Sequence, residues 1–127
     1  MRYVVDGMNL IGSRPDGWWR DRPAARLALS EELGVFARRS GHDVTVVFDG
    51  SPGSEEVGAT GAVAGIVVRY APGGPDAADD VVAALVAGLE DPTSVTVVTS
   101  DAGLAGRVGA VGAAVVGSRA FRRSALS

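Results

Sequence analysis

Cysteine is absent from this 127-residue chain, and so is lysine: all 12 basic residues are arginine, set against 15 acidic residues and a single histidine, His42. Without cysteine there is no disulfide framework, thiolate zinc site or cysteine nucleophile. One histidine disfavours a histidine metal cage and a Ser-His-Asp triad. Without lysine, every mechanism that needs an ammonium falls: the phosphate-loop lysine, a Schiff base, the lysine of a phospho-aspartate switch. A G-x-G-x-x-G dinucleotide fingerprint is missing too. No apolar run approaches the ~18 to 20 residues of a membrane span. The opening Met1-Arg2-Tyr3-Val4-Val5-Asp6 places an acid where a signal peptide needs its apolar stretch, so the expectation is a cytoplasmic protein without membrane contact. Any chemistry must come from carboxylates.

The composition, 46% hydrophobic and 21% charged with 18 Gly, is that of a soluble globular chain long enough for one domain and one sizeable core. The net charge of −3 hides an uneven spread: residues 1–40 carry +2, residues 41–106 carry −9, and residues 107–127 carry +4. An acidic middle between basic ends suits either a solvated dipole or a metal-binding centre flanked by phosphate-binding arginines.

Short β-branched runs alternate with longer Ala/Leu/Val stretches. Tyr3-Val4-Val5, Val44 to Phe48, Ile66-Val67-Val68, Val95 to Val98 and Ala113 to Val116 read as buried strands. Residues 23–40 read as a helix, with Pro23 in its first turn and Ala25, Leu29, Leu33 and Phe36 as its apolar stripe. Residues 77–90 read as a second, on the repeat Val81, Leu85, Leu89, and 102–109 as a short third. Strands alternating with helices predict an α/β fold with a parallel sheet covered on both faces. Residues 51–65 read as a surface loop, and 12–22 as a long connection containing both tryptophans. Residues 118–127, with Arg119, Arg122 and Arg123, read as a solvated basic tail after a domain spanning 1–117.

In open α/β sheets ligands bind at the carboxyl ends of the strands. Asp6 follows Val5, Asp49 follows Phe48, Asp79 and Asp80 follow the third strand and its loop, and Asp101 follows Val98-Thr99-Ser100. Parallel strands would bring these carboxylates to one edge. Two carboxylates ~4 Å apart repel by roughly 4 kcal/mol at an effective dielectric of 20, so such a cluster stays ionised only around a cation. Oxygen-only ligands favour Mg²⁺ or Mn²⁺. Each acid also has a structural reading: Asp6-Gly7 and Asp49-Gly50 as turn dipeptides, Asp101 as a helix cap, Asp79-Asp80 as first-turn acids facing a helix dipole. Their joint placement favours a metal site. Trp18 and Trp19, among Arg14, Arg20 and Arg22, could stack bases and hold phosphates or pin the loop to the domain. His42 lies near none of these acids and reads as a surface residue.

Val5-Asp6-Gly7-Met8-Asn9-Leu10-Ile11-Gly12, Val47-Phe48-Asp49-Gly50, Ala78-Asp79-Asp80-Val81-Val82 and Val98-Thr99-Ser100-Asp101, in this order, resemble the NYN domains, a branch of the PIN-like metal-dependent ribonucleases, and in particular their YacP-like members. The resemblance implies a three-layer α/β/α sandwich and an acidic Mg²⁺ or Mn²⁺ site that hydrolyses RNA. It implies catalytic roles for Asp6, Asp79, Asp101 and Asn9, a further pocket acid in Asp49, and accessory positions at Asp76, Asp80, Thr99 and Ser100. Single-stranded RNA is the expected substrate, since unstacked bases can lie on aromatic faces, with Arg14, Trp18, Trp19, Arg20 and Arg107 as its contacts. A module of the same fold that binds RNA or protein without cleaving is the alternative.

Overall fold

The β-branched runs pair into the central sheet of the computed structural model, which describes residues 1–13, 17–50, 61–63, 65–74 and 76–126. In chain order the elements are β1 (Arg2–Asp6), α1 (Gly7–Gly12), a 3₁₀ turn (Trp18–Arg20), α2 (Arg22–Ser40), β2 (Asp43–Asp49), β3 (Gly61–Val63), β4 (Ile66–Ala71), α3 (Ala77–Ala87), a second 3₁₀ turn (Pro92–Ser94), β5 (Val95–Val98), α4 (Ala102–Gly109), β6 (Ala114–Val116) and α5 (Ser118–Ala125). The sheet order is β3-β4-β2-β1-β5-β6, parallel throughout except for β3, which runs antiparallel to β4 at the edge.

Alternation along the strands divides the core into two faces. Val5, Val46, Phe48, Val68 and Val98 pack with Leu10, Leu29, Leu33 and Phe121, under α1, α2 and α5. Val4, Val47 and Val97 pack with Ala78, Val82, Val86, Leu104 and Val108, under α3 and α4. The result is the expected three-layer α/β/α sandwich. Among the described residues no helix is long and apolar enough to cross a membrane.

Local chemistry accounts for the helix limits. Asp21 caps α2, its Oδ1 accepting the Ala24 N–H at 3.2 Å, and Gly41 ends it at φ +76°. Asp101 caps α4, accepting the Leu104 N–H at 2.9 Å.

The structure corrects the sequence reading at several places. A helix, α1, begins directly at Gly7, so Asp6-Gly7 is a strand-to-helix junction and not a turn dipeptide. Asp49-Gly50 does turn, with Gly50 at φ +91°. Residues 61–63 form the edge strand β3 in place of part of the expected loop; residues 51–60 of that loop lie outside the described residues. In α3, which stops at Ala87, the deepest column is Ala78, Val82 and Val86 and not Val81, Leu85 and Leu89, which pack half-buried beside it. Both columns are apolar and one residue apart, so periodicity alone does not select between them.

The largest departure is the basic tail. Ser118–Ala125 is a helix, and Phe121 lies buried in the first core, with its ring centroid 5.2 Å from that of Phe36 in an edge-to-face pair. Arg122 is half-buried and donates to Leu10 O at 3.2 Å and to Glu32 at 3.4 Å, clamping α5 to the end of α1 and to α2. One buried aromatic outweighs the solvation of three neighbouring arginines, because an Arg stem can lie along the surface while its head stays polar.

Gly7 fixes the approach of α1 to β2. A Cβ there would stand 2.5 Å from two ring carbons of Phe48 and 2.9 Å from Val47 O. Gly7→Ala is therefore expected to destabilise the fold by about 1–3 kcal/mol, the usual cost of overpacking. A melting temperature equal to that of the unaltered chain would show that the junction can shift.

Candidate active site at the carboxyl edge

Two successions of elements leave β1 in opposite directions: β2 and β4 lie on one side, β5 and β6 on the other. The reversal opens a crevice between the carboxyl ends of β1 and β5, where α/β sheets bind ligands. Asp6 stands at the end of β1 and is buried at 5% exposure; Thr99, 1% exposed, follows β5 directly. The Thr99 Oγ1–H donates to Asp6 Oδ2 at 2.8 Å across the crevice, and Thr99 Oγ1 accepts the Asp101 N–H at 3.1 Å. One hydroxyl thus ties together two of the expected acids.

The other acids arrive on neighbouring elements. Asp49 ends β2, and its Oδ1 accepts the Ala78 N–H at 3.2 Å, fixing the start of α3 against the sheet. Asp79 and Asp80 lie in the first turn of α3, and Asp76 precedes it without a side-chain capping bond. Asp101 is the cap of α4 already described.

Burial pushes the Asp6 carboxyl up to about 6; the Thr99 hydroxyl and the Asn9 backbone N–H oppose the rise, and the negative charges of Asp79 and Asp49 add to it. Asp79 is also raised, by burial first, then by the charges of Asp101, Asp76 and Asp49, with Arg107 opposing. The charges of Asp49 and Asp79 thus act on Asp6, and those of Asp49, Asp76 and Asp101 on Asp79, so the five acids share one electrostatic field. Their donor set, all carboxylate oxygen, suits a hard divalent cation, and the mutual repulsion is the strain such an ion relieves. Their spacing is not that of a finished cage: among the described residues no three His, Cys, Asp or Glu side chains are grouped closely enough to hold an ion. Asp6, Asp49 and Asp101 each commit a carboxylate oxygen to a protein hydrogen bond instead.

Asn9, in α1, turns its Oδ1 to the Ser100 N–H at 2.9 Å and to the Ser118 hydroxyl at 2.5 Å. Sequence reasoning identifies Asn9 and Ser100 but not Ser118, for nothing in a serine of an apparent tail marks it as a partner for a residue 109 positions away.

Arg107 pairs with Asp80 at 3.0 Å in an exposed bridge, the kind worth ~0–1 kcal/mol and easily exchanged for a phosphate. In the 3₁₀ turn the tryptophans divide: Trp18 packs half-buried on the first core beneath the Arg22 guanidinium, 5.3 Å from its ring, whereas Trp19 is 54% exposed with Arg20 at 5.9 Å. Arg14 lies outside the described residues. His42 packs against Tyr3 and Phe36, ring centroids 5.3 and 6.0 Å away, just before β2 at the opposite edge of the sheet.

A sequence model of the YacP-like NYN domain matches residues 3–126. Among solved structures, Rae1 (YacP) from Bacillus subtilis has a TM-score of 0.78 at 24% identity, over 98% of this chain and 73% of that one. Its W164L mutant has a TM-score of 0.76 at 23% identity, over 98% of this chain and 74% of that one. At these identities the likeness is one of fold. No curated protein matches the chain.

Proposed function

We propose that this chain, which belongs to the YacP-like NYN domain family and so has a ribonuclease-type fold, is a cytoplasmic Mg²⁺- or Mn²⁺-dependent ribonuclease acting on single-stranded RNA at the Asp6–Asp79–Asp101 edge. The observation that carries the reading is the Thr99 hydroxyl at the β1–β5 crevice, which joins buried Asp6 to the Asp101 backbone, in a setting where burial first and the charges of neighbouring acids second raise both Asp6 and Asp79. Asp6, Asp79 and Asp101, which are not gathered into a three-ligand group in the chain alone, would have to draw together to hold the cation, with Asp49 beside them. When bound, such an ion supplies Lewis-acid activation of water and neutralises charge on the scissile phosphate.

The chain's own residues do the rest. Thr99 orients the Asp6 carboxylate and holds the Asp101 backbone, keeping two acids in register as RNA enters. Asn9 offers its side-chain amide beside them. Arg107, released from Asp80, and Arg20 carry positive charge to the flanking phosphates, and the open face of Trp19 offers a platform for a base.

The deciding assay incubates a labelled single-stranded oligoribonucleotide with the purified chain and Mn²⁺ or Mg²⁺, with a chelator control. Cleavage that needs the ion supports the reading. Retention of RNA without cleavage under every ion would assign the same edge to binding alone.

The two tryptophans give a separate check. Trp19→Ala is expected to weaken RNA affinity by roughly 1–3 kcal/mol, the worth of one stacked base, with little change in melting temperature. Trp18→Ala should lower melting temperature and leave affinity per folded molecule nearly unchanged. Unchanged affinity in both variants would move the RNA path away from this turn.

A further inference from the structure

The carboxyl-terminal helix enters the candidate site through one hydroxyl. Ser118 is the first residue of α5 and is 1% exposed. A serine at a helix start ordinarily turns its oxygen to its own helix. Here α5 has no side-chain cap at all, and the Ser118 hydroxyl instead donates to Asn9 Oδ1 at 2.5 Å. The Ser100 N–H donates to the same oxygen at 2.9 Å, and the Ser118 N–H donates to Ser100 Oγ at 2.9 Å. The segment after β5, α1 and α5 thus meet on a single amide.

The chemistry of the donors settles which way that amide faces. A backbone N–H cannot face an NH₂ group, so the carbonyl oxygen of Asn9 is the atom held between Ser100 and Ser118. The Asn9 NH₂ is consequently turned away from both, as a donor. Asn9 lines an open groove of about 550 Å³ with Met8, Ser13, Ser100, Ser118 and Arg119. This groove adjoins the acid edge, because Ser100 sits between Thr99, which binds Asp6, and Asp101.

We infer that Ser118 is a positioning residue: it locks the Asn9 amide so that its NH₂ donates to a backbone oxygen of RNA lying in this groove. The Ser100 N–H selects which end of the amide faces inward, and the Ser118 hydroxyl, buried so that water does not replace it, is the second hold that keeps the amide from swinging. Arg119 lines the groove as a cation for the same polyanion. The chain therefore needs α5 for its chemistry as well as for its core.

The inference rests on the ribonuclease reading, and the test separates the two. The Asn9 side-chain amide is followed by ¹⁵N NMR in the full chain. Ser118→Ala is expected to lower its order and speed its hydrogen exchange, and Ser118→Thr, which keeps the hydroxyl, to preserve both. An unchanged Asn9 amide in Ser118→Ala overturns the inference, whatever happens to RNA. In steady-state cleavage of a single-stranded oligoribonucleotide with Mn²⁺, Ser118→Ala should lower kcat roughly tenfold with KM within about twofold, and Ser118→Thr should restore it. The double variant Asn9→Ala, Ser118→Ala should be no slower than Asn9→Ala; losses that multiply overturn the coupling. A wild-type chain that cleaves no RNA while its amide responds to Ser118 removes the ribonuclease reading, and the catalytic role of the lock with it.

Discussion

Asp79→Asn is expected to lower RNA cleavage on the order of a hundredfold or more while the fold stays intact. Asp79 sits in the first turn of α3, where a negative charge ordinarily gains ~0.3–1 kcal/mol from the helix dipole. Its carboxyl is nonetheless raised, because burial and the charges of Asp101, Asp76 and Asp49 outweigh that gain and the opposing Arg107. An amide of the same shape removes the repulsion and one cation-binding charge together. Melting temperature should therefore hold or rise as activity falls. Purified Asp79→Asn with unchanged cleavage would reject the role assigned to Asp79; loss of both activity and fold would make it a structural residue.

Asp6→Asn should produce the clearest separation of stability from activity. The Asp6 carboxyl titrates near 6 in the folded chain against 3.8 for the free group. The folded state therefore binds this proton more tightly than the unfolded chain does. Well below the free value the group is neutral in both states and costs nothing; between that value and about 6 the unfolded chain gives up the proton while the folded chain keeps it, so stability falls, and above about 6 the loss levels off. The full difference is roughly 3 kcal/mol at neutral pH. Asn keeps an oxygen for the Thr99 hydroxyl and carries no charge, so the variant should be more stable by up to about that amount at pH 7 and by almost nothing at pH 4. RNA cleavage should be lost. Chemical denaturation of both proteins at several pH values measures the difference, in which the titrating groups that do not interact with Asp6 cancel. Parallel stability curves across pH 4–7 would show that the Asp6 carboxyl is not raised in the folded chain. A divalent cation at this edge favours the ionised carboxylate, so Mn²⁺ should stabilise the unaltered chain more than the variant.

Both aspartates are legible in the amino-acid sequence by itself. Asp6, Asp49 and Asp101 follow short β-branched runs, and Asp79 opens an apolar helical repeat, so alternation alone implies a parallel sheet with acids at its carboxyl edge. The absence of lysine and cysteine is what turns the reading of the sequence toward its carboxylates. α4 lies over the expected residues, and α2 begins one residue earlier, at Arg22. Such features are local: strand and helix periods, caps and strand-end positions are written within a few residues of where they act.

What the sequence leaves open depends on contacts between distant segments. Gly7 reads as half of a turn dipeptide, but Phe48, 41 positions on, fills the space a Cβ would need. The column of α3 that lies deepest is set by the sheet beneath it, since both neighbouring columns are apolar. The shared field of the acids, and the protein hydrogen bonds that Asp6, Asp49 and Asp101 make, follow from how the strands are ordered. Above all, residues 118–125 read as a charged tail when judged by their arginines. Their helix exists because Phe121 finds a pocket between Phe36 and Tyr3, and because Arg122 finds the Leu10 carbonyl of α1. Neither partner is near in the chain, and burial energy is realised only where tertiary structure has brought the surfaces together. Ser118 is carried into the site by that docking, which is why alternation and strand-end position could place the acids but not the residue that holds Asn9.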